Sequence, residues 1–178
     1  MRVITGSARG RNLITLPGEE ITRPTTQSTK EALFSSIQFE LEGTQVLDLF
    51  AGCGQLGIEA LSRGARFCTF VDNNRSAVKI VEENVKKCGF EDVSSVVFSD
   101  ALAFLSRNGG YDIALLDPPY NKGLIAECLE KLVTKMKDEG VIICETAKNE
   151  ALPETVGEWS VSKEKAYGKT KLTYYRKG

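Results

Sequence analysis

Four consecutive residues, Asp117-Pro118-Pro119-Tyr120, combine groups that could orient an amine. Two adjacent prolines fix two φ angles at about −65° and lack N–H donors, so the turn is stiff. It presents the Pro118 carbonyl and the Asp117 carboxylate as acceptors. The exocyclic amine of a nucleobase is a poor nucleophile because its lone pair is delocalised into the ring. Two fixed acceptors would direct that lone pair at an electrophile, while the Tyr120 ring offers a stacking face.

A glycine-rich turn lies earlier in the chain, where the apolar run VLDLFA is followed by GCGQLG at 52–57. It matches G-x-G-x-x-G, and Asp72 follows Gly52 by 20 residues, which is the spacing of the dinucleotide-binding fingerprint. Such a turn is not selective by itself. Glycines allow close approach, and a helix N-terminus offers N–H donors to any ligand with a polar or anionic end. A nicotinamide dinucleotide and a nucleoside sulfonium therefore both stay open.

Acidic residues lie at or near the ends of four predicted strands. Asp72 closes the second strand, Asp100 follows the third, Asp117 closes the fourth, and Asp48 lies near the end of the first. Ligands of open α/β sheets bind beyond the carboxyl ends of the strands. Carboxylates there suit hydroxyl, amino and cationic groups and would repel a pyrophosphate. We expect Asp72 to bind ribose hydroxyls and Asp100 an adenine amine, with Ala101 at the ring; helix N-capping is the alternative for Asp72 and Asp100.

Alternating apolar patterns predict the elements that position these residues. The predicted strands are 45–50, 67–72, 93–99, 111–117 and 140–145, and the predicted helices between them are 56–63, 75–88, 101–108 and 123–136. This order indicates an α/β fold, a mostly parallel Rossmann-like sheet with helices on both faces. Residues 159–165 and 171–176 instead form a C-terminal antiparallel hairpin.

The N-terminal residues have a different character. Residues 2–5 and 12–16 read as a basic β-hairpin, and 29–41 as an amphipathic helix. We therefore divide the chain into an N-terminal appendage, 1–42, and a main domain, 43–178.

Composition excludes several classes of protein. The chain has 178 residues, no histidine, and five cysteines without a C-x-x-C pair, so neither a metal site nor a histidine-dependent catalytic triad is expected. No apolar stretch approaches the length of a membrane span, and the N-terminus lacks the apolar core of a signal peptide. We expect a cytoplasmic protein without a membrane partner, and a monomer.

Basic charge is concentrated at the two ends. Residues 1–30 carry net charge +3 and residues 159–178 carry +5, which leaves −9 for the middle of a chain whose net charge is −1. Two basic ends on an acidic body indicate a polyanionic partner. Simple solvation of the termini is the alternative.

The combined motifs resemble a known family. The pair D-x-F-A-G-x-G and D-P-P-Y is similar to class I methyltransferases that use S-adenosylmethionine to modify exocyclic amines. Arg23-Pro-Thr-Thr before an E-A-L-F helix, LDLFAGCGQLGIEALSRGA at 47–65 and Tyr167-Gly-x-Thr extend the resemblance to the bacterial 16S rRNA guanine-N2 methyltransferases of RsmD type. The resemblance covers nearly the whole chain.

The resemblance implies a role for each motif. Asp117 to Tyr120 would bind the target guanine and act as the catalytic residues. The cofactor, S-adenosyl-L-methionine with S-adenosylhomocysteine as product, would be bound by Asp48, Phe50, Ala51, Gly52, Gly54, Asp72, Asn73, Asp100, Ala101 and Asp117. The RNA contacts would be Arg9, Arg11, Arg23, Thr25, Thr26, Lys30 and Tyr167.

The leading hypothesis is therefore transfer of a methyl group to N2 of a guanine in 16S rRNA, within an assembling small subunit. The target base would have to leave its stack. Three alternatives stay open: an N6-adenine methyltransferase acting on DNA or RNA, an NAD-dependent oxidoreductase, and a non-catalytic RNA-binding assembly factor.

Overall fold

The structure, a computed structural model, describes residues 1–18, 27–118 and 123–178. The strands in this part of the chain are β1 (Gln45–Asp48), β2 (Phe67–Asp72), β3 (Ser94–Phe98), β4 (Tyr111–Leu116), β5 (Met136–Ala147), β6 (Thr155–Val156), β7 (Trp159–Tyr167) and β8 (Thr170–Lys177). The helices are α1 (Gln27–Ser36), α2 (Gln55–Ser62), α3 (Arg75–Lys87), α4 (Ala101–Leu105) and α5 (Leu124–Leu132), with a 3₁₀ turn at Glu91–Val93.

The strands form one sheet in the order β3-β2-β1-β4-β5-β8-β7-β6. Strands β1 to β5 pair in parallel, whereas β8 pairs antiparallel with both β5 and β7. The chain moves outward from β1 in one direction to β3 and in the other to β5. This reversal creates a crevice at the carboxyl ends of β1 and β4. The predicted mostly parallel sheet with a C-terminal antiparallel hairpin is confirmed.

Strands β1 and β4 are buried on both faces of the sheet, which explains why they consist mostly of apolar residues. Alternate residues enter different cores: Val46 and Ile113 pack on the face covered by α2 and α3, while Leu47 and Ala114 pack on the face covered by α4 and α5. The two cores therefore fix which face of the sheet each side chain at a strand end points to.

The N-terminal residues pack on the α2 and α3 face. The predicted basic hairpin is present as one antiparallel bridge, Arg2 to Asn12, flanked by a hydrogen bond from Val3 N to Arg11 O at 3.0 Å. Val3 and Leu13 share a core cluster with Phe34 of α1. The division of the chain at residue 42 stays a prediction.

Some element bounds differ from the predicted ones. Strand β5 begins at Met136, before the predicted residue 140, and α5 ends at Leu132. The sequence pattern of residues 137–140 is typical of a turn. In the structure these residues instead form a bulge in β5, where the register of its pairing with β4 shifts between Tyr111 and Ile113. Gly140 allows it, because a Cβ there would lie 2.6 Å from Asp112 O. Strand β6 was not predicted. None of the helices in the described residues has the length and apolarity needed to cross a bilayer.

Candidate cofactor and substrate site

The glycine turn joins the end of β1 to the start of α2. Gly52 and Gly54 adopt φ angles of 58° and 84°, in the left-handed region that favours glycine. A Cβ on Gly54 would lie 3.2 Å from a methyl group of Val81. Gly57 has a different function, since a Cβ there would collide with the Phe70 ring. The third glycine thus allows α2 to pack closely on the sheet.

Two predicted carboxylates hold this turn in place. Asp48, which is buried, accepts a hydrogen bond from Gly57 N at 2.9 Å. Asp72 accepts from Gly52 N at 2.9 Å and from Asn74 N at 2.9 Å. Because each carboxylate oxygen can accept more than one hydrogen bond, the half-buried Asp72 can also receive hydroxyl groups of a ligand. The glycine turn and Asp72, the residue predicted to bind the ribose, are therefore held together by a hydrogen bond.

The N-capping alternative has a different outcome at the two aspartates. Asp100 caps α4 and accepts from Ala103 N at 3.1 Å, so the capping role is confirmed there. The N-cap of α3 is Asn74, whose side chain accepts from Ser76 N and Ala77 N, so the capping role is wrong for Asp72.

A cleft at the carboxyl edge collects the predicted cofactor residues. Five of them line it: Phe50, Asp72, Asn73, Asp100 and Ala101. Leu49, Ser99, Leu102, Leu124 and Cys128 complete its wall. Burial is the largest cause that raises the pKa of the Cys128 thiol, to about 11. The cleft therefore has a carboxylate rim and an apolar floor whose thiol is neutral at physiological pH. Ala51 is buried beside it and donates to Val71 O at 3.0 Å.

The predicted substrate-binding residues begin at the end of β4. Asp117 is 3% exposed and directly follows the strand, and Pro118 is buried beside it. The parallel pairing of Leu116 with Cys144 places Asp117 next to Glu145, a 2% exposed carboxylate at the end of β5 that sequence reasoning missed. Pro119 and Tyr120 lie outside the described residues.

Arg11, a predicted RNA contact of the N-terminal region, lies away from this edge of the sheet. Arg11 donates to Lys87 O, at 3.3 Å, at the C-terminal end of α3. Because α3 runs antiparallel to the strands, this places Arg11 toward their amino ends, away from Asp117. Arg9 is exposed in the same segment. Arg23, Thr25 and Thr26 lie outside the described residues.

The prediction that Lys30 contacts RNA is corrected by the structure, which places its side chain in the core. It is 1% exposed, and its ammonium lies 3.2 Å from Glu59 Oε1 and donates to Arg2 O at 3.2 Å. Burial lowers the pKa of Lys30, and Glu59 partly opposes that effect. A buried, ion-paired ammonium is not available to a phosphate, so Lys30 is a structural residue.

Glu59 itself was missed, although it joins three segments of the chain. Its carboxylate accepts from Ile4 N at 2.9 Å and from Thr5 N at 3.0 Å, and it pairs with Lys30 and Arg63. A charged residue on the otherwise apolar pattern of α2 was the available signal.

Asn84 was also missed, and it connects the N-terminal segment to the glycine turn. It is fully buried, and its amide donates to Ile14 O and to Cys53 O, both at 2.9 Å. Its side-chain oxygen accepts from Ile14 N at 2.8 Å. The backbone of the glycine turn is thus fixed by the same side chain that holds residue 14.

Tyr167 ends β7, next to the turn of the C-terminal hairpin. Its ring is half-buried and packs against the core of the α2 and α3 face. The Lys165 ammonium lies 5.4 Å from the ring centroid. Within residues 1–18, 27–118 and 123–178, Tyr167 is the predicted RNA contact that lies at the carboxyl edge of the sheet.

Known proteins are similar to this chain in sequence and in architecture. The family described as "Conserved hypothetical protein 95" matches residues 1–176. A Bacillus subtilis (strain 168) protein named "Putative rRNA methyltransferase YlbH" is 38% identical over 99% of both chains. The Escherichia coli (strain K12) ribosomal RNA small subunit methyltransferase D is 33% identical over 99% of this chain and 90% of that protein.

The structural comparison agrees. A solved Escherichia coli structure titled "Putative methyltransferase yhhF" superposes with a TM-score of 0.88 at 34% identity, over 99% of this chain and 97% of that one. The match spans the N-terminal segment, the parallel strands and the C-terminal hairpin together. This chain belongs to the RsmD family, that of ribosomal RNA small subunit methyltransferase D.

Proposed function

We propose that this protein is an rRNA methyltransferase that transfers a methyl group from S-adenosyl-L-methionine to the exocyclic N2 of a guanine in 16S rRNA. Its substrate would be the rRNA of an assembling small subunit. Membership of the RsmD family supports the reaction class. The observation that carries the proposal is the shared edge of the sheet, where the glycine turn, the Asp72 and Asp100 carboxylates and the Asp117-Pro118 turn meet.

The described residues fit this cofactor. The Asp72 carboxylate lies at the end of β2, where it can accept from two ribose hydroxyls, and the exposed Asp100 can accept from an adenine amine. Leu49, Phe50 and Leu102 supply apolar surface for a flat ring. The bound cofactor supplies a methyl group that is attached to a positively charged sulfur. After the transfer the sulfur is part of a neutral thioether. The acidic rim favours that charge and opposes a pyrophosphate.

The chain's own residues would orient the amine. The Asp117 carboxylate and the Pro118 carbonyl accept the two N2 hydrogens, which turns the nitrogen lone pair toward the methyl carbon. The cofactor would supply the methyl group to this lone pair and would leave as the neutral thioether. Asp117 would stabilise the positive charge that N2 gains and would receive its proton. Tyr120 would stack on the base.

Asp117→Ala tests this mechanism. With 16S rRNA or immature small subunits as substrate, we expect kcat/KM to fall by about 100-fold or more, because one of two orienting acceptors is lost. Asp138→Ala is a matched control, since Asp138 is an exposed carboxylate whose contact is Lys177. Activity near wild type in Asp117→Ala would refute the mechanism.

Calorimetric titration separates this proposal from an oxidoreductase. We expect S-adenosyl-L-methionine and S-adenosylhomocysteine to bind and NAD not to bind. Binding of NAD without binding of S-adenosyl-L-methionine would overturn the proposed function.

A further inference from the structure

We propose that the RNA backbone docks along a strip of four lysines, called here the lysine strip: Lys163, Lys165 and Lys169 of the C-terminal hairpin, and Lys148, which follows β5. The inference rests on the proposed function, since it assigns the docking surface of the rRNA substrate. It gives the substrate a direction of approach, from the β7 side of the sheet.

The pairing of the basic side chains sets these lysines apart. Other basic residues of the hairpin are neutralised: Lys171 pairs with Glu164, Arg176 with Glu40, and Lys177 with Asp138 and Glu158. The lysine strip has no ion-pair partner within residues 1–18, 27–118 and 123–178, and its four members are exposed. The uncompensated charge of this end of the chain is therefore concentrated on one strip.

The strip begins at the proposed active-site edge. Ala147, the last residue of β5, pairs with Thr170, and Lys148 N donates to Lys169 O at 2.9 Å. Lys148 and Lys169 therefore lie beyond the carboxyl end of β5, the neighbour of the strand that ends at Asp117.

From Tyr167 the strip continues down β7. Lys165 and Lys163 follow at alternate positions, so they share one face of the strand and are about 7 Å apart along it. Lys163 extends over the Tyr174 ring, with its ammonium 5.3 Å from the centroid, and Lys165 extends over the Tyr167 ring. Both rings contribute to the core of the α2 and α3 face, so both lysines are held on a rigid surface.

This arrangement suits a phosphate backbone more than a base edge. Ammonium groups in a row make contacts with phosphates that position RNA without reading its sequence. Lys163 and Lys165 also lie beyond the short pairing of β6 with β7, on an open stretch of strand. Lysines on such an edge can simply prevent aggregation, and the salt dependence of RNA binding distinguishes the two roles.

The test is the double variant Lys163→Gln/Lys165→Gln, which keeps most of each side chain and removes both charges. Fluorescence anisotropy would follow binding of a labelled RNA hairpin between about 50 and 200 mM salt. The slope of log K against log salt should decrease in magnitude by about 1.5, because each phosphate contact contributes about 0.7 to 0.9. The single variants should each show about half of this change, and Lys163→Arg/Lys165→Arg should retain the wild-type slope.

Lys86→Gln/Lys131→Gln is the matched control. Both lysines are exposed, lie in the last turns of α3 and α5 and have no ion-pair partner in the described ranges. This control changes the net charge equally at the other end of the sheet, and its slope should match wild type. An unchanged slope in the Lys163/Lys165 variants, or an equal change in the control, would overturn the proposal. RNA binding without methyl transfer by the wild-type protein would instead refute the proposed function and leave the lysine strip intact.

Discussion

Asp72 illustrates how one side chain can serve both the fold and the site. It holds the glycine turn through Gly52 N and still presents a half-buried carboxylate to the cleft. The spacing of 20 residues between Gly52 and Asp72 therefore has a structural role besides the predicted ligand contact.

Asp72→Ala should weaken binding of S-adenosyl-L-methionine by about 10-fold or more, because it removes acceptors for the ribose and frees Gly52 N. Calorimetric titration measures this affinity. Asp92→Ala, which removes an exposed carboxylate from the 3₁₀ turn, should bind as wild type does. An unchanged affinity in Asp72→Ala would remove this residue from the cofactor site.

Asn84 is a second residue with consequences beyond its position. Asn84→Ala leaves the groups of Ile14 and the Cys53 carbonyl without their buried partner, so we expect the free energy of unfolding to fall by about 3 kcal/mol. Urea denaturation gives this value. Asn73→Ala, at an exposed position, should change stability by less than about 0.5 kcal/mol. Equal stabilities of the two variants would contradict the role of Asn84 in joining the N-terminal segment to the glycine turn.

At the scale of elements, Glu59 attaches the N-terminal segment and α1 to α2. Glu59→Gln should cost about 3 to 5 kcal/mol, because it leaves the buried Lys30 ammonium without its countercharge. Chemical denaturation tests this, with the exposed Glu42→Gln as control. The double variant Lys30→Met/Glu59→Gln should recover much of the loss, and a loss below about 1 kcal/mol in the single variant would refute the role.

The sequence predicted the elements with strong local patterns. Strand β2 has its predicted bounds, and β1, β3 and β4 lie within theirs. The signal is clearest in β4, where residues 113–116 are apolar and buried on both faces of the sheet. The residues that sequence reasoning missed depend on distant partners instead. Glu59 binds Ile4, which lies 55 positions away in the chain, and Asn84 binds Ile14, which lies 70 positions away. Lys30 was misassigned for the same reason, since its position inside the core follows from α1 packing on α2.

At the scale of the whole molecule, stability should fall in alkaline solution. Burial is the largest cause that raises the pKa of seven thiols and phenols, in residues Cys68, Cys88, Cys128, Cys144, Tyr111, Tyr174 and Tyr175. Each group binds its proton more tightly in the folded state than in the unfolded state. Its contribution is therefore complete below about pH 9 and is lost as the pH rises through the folded-state pKa. The pKa of Lys30 is lowered, so its contribution to the unfolding free energy increases as the pH rises.

Urea denaturation between pH 8 and 11 should show a steady loss of unfolding free energy above about pH 9. Cys128→Ala should reduce the loss in the interval up to its folded-state pKa of about 11. Stability that is constant up to pH 10 would contradict this account of the buried thiols and phenols.

The candidate cofactor cleft and the Asp117-Pro118 segment lie at one edge of the sheet, where the proposed methyl transfer would take place. The most direct test combines the protein, S-adenosyl-L-methionine with a labelled methyl group, and small subunits from a strain that lacks this protein. Digestion of the rRNA and mass spectrometry of the nucleosides then identify the product. We expect the label in N2-methylguanosine, at one site in 16S rRNA. Label in N6-methyladenosine, or no labelled nucleoside, would contradict the central claim.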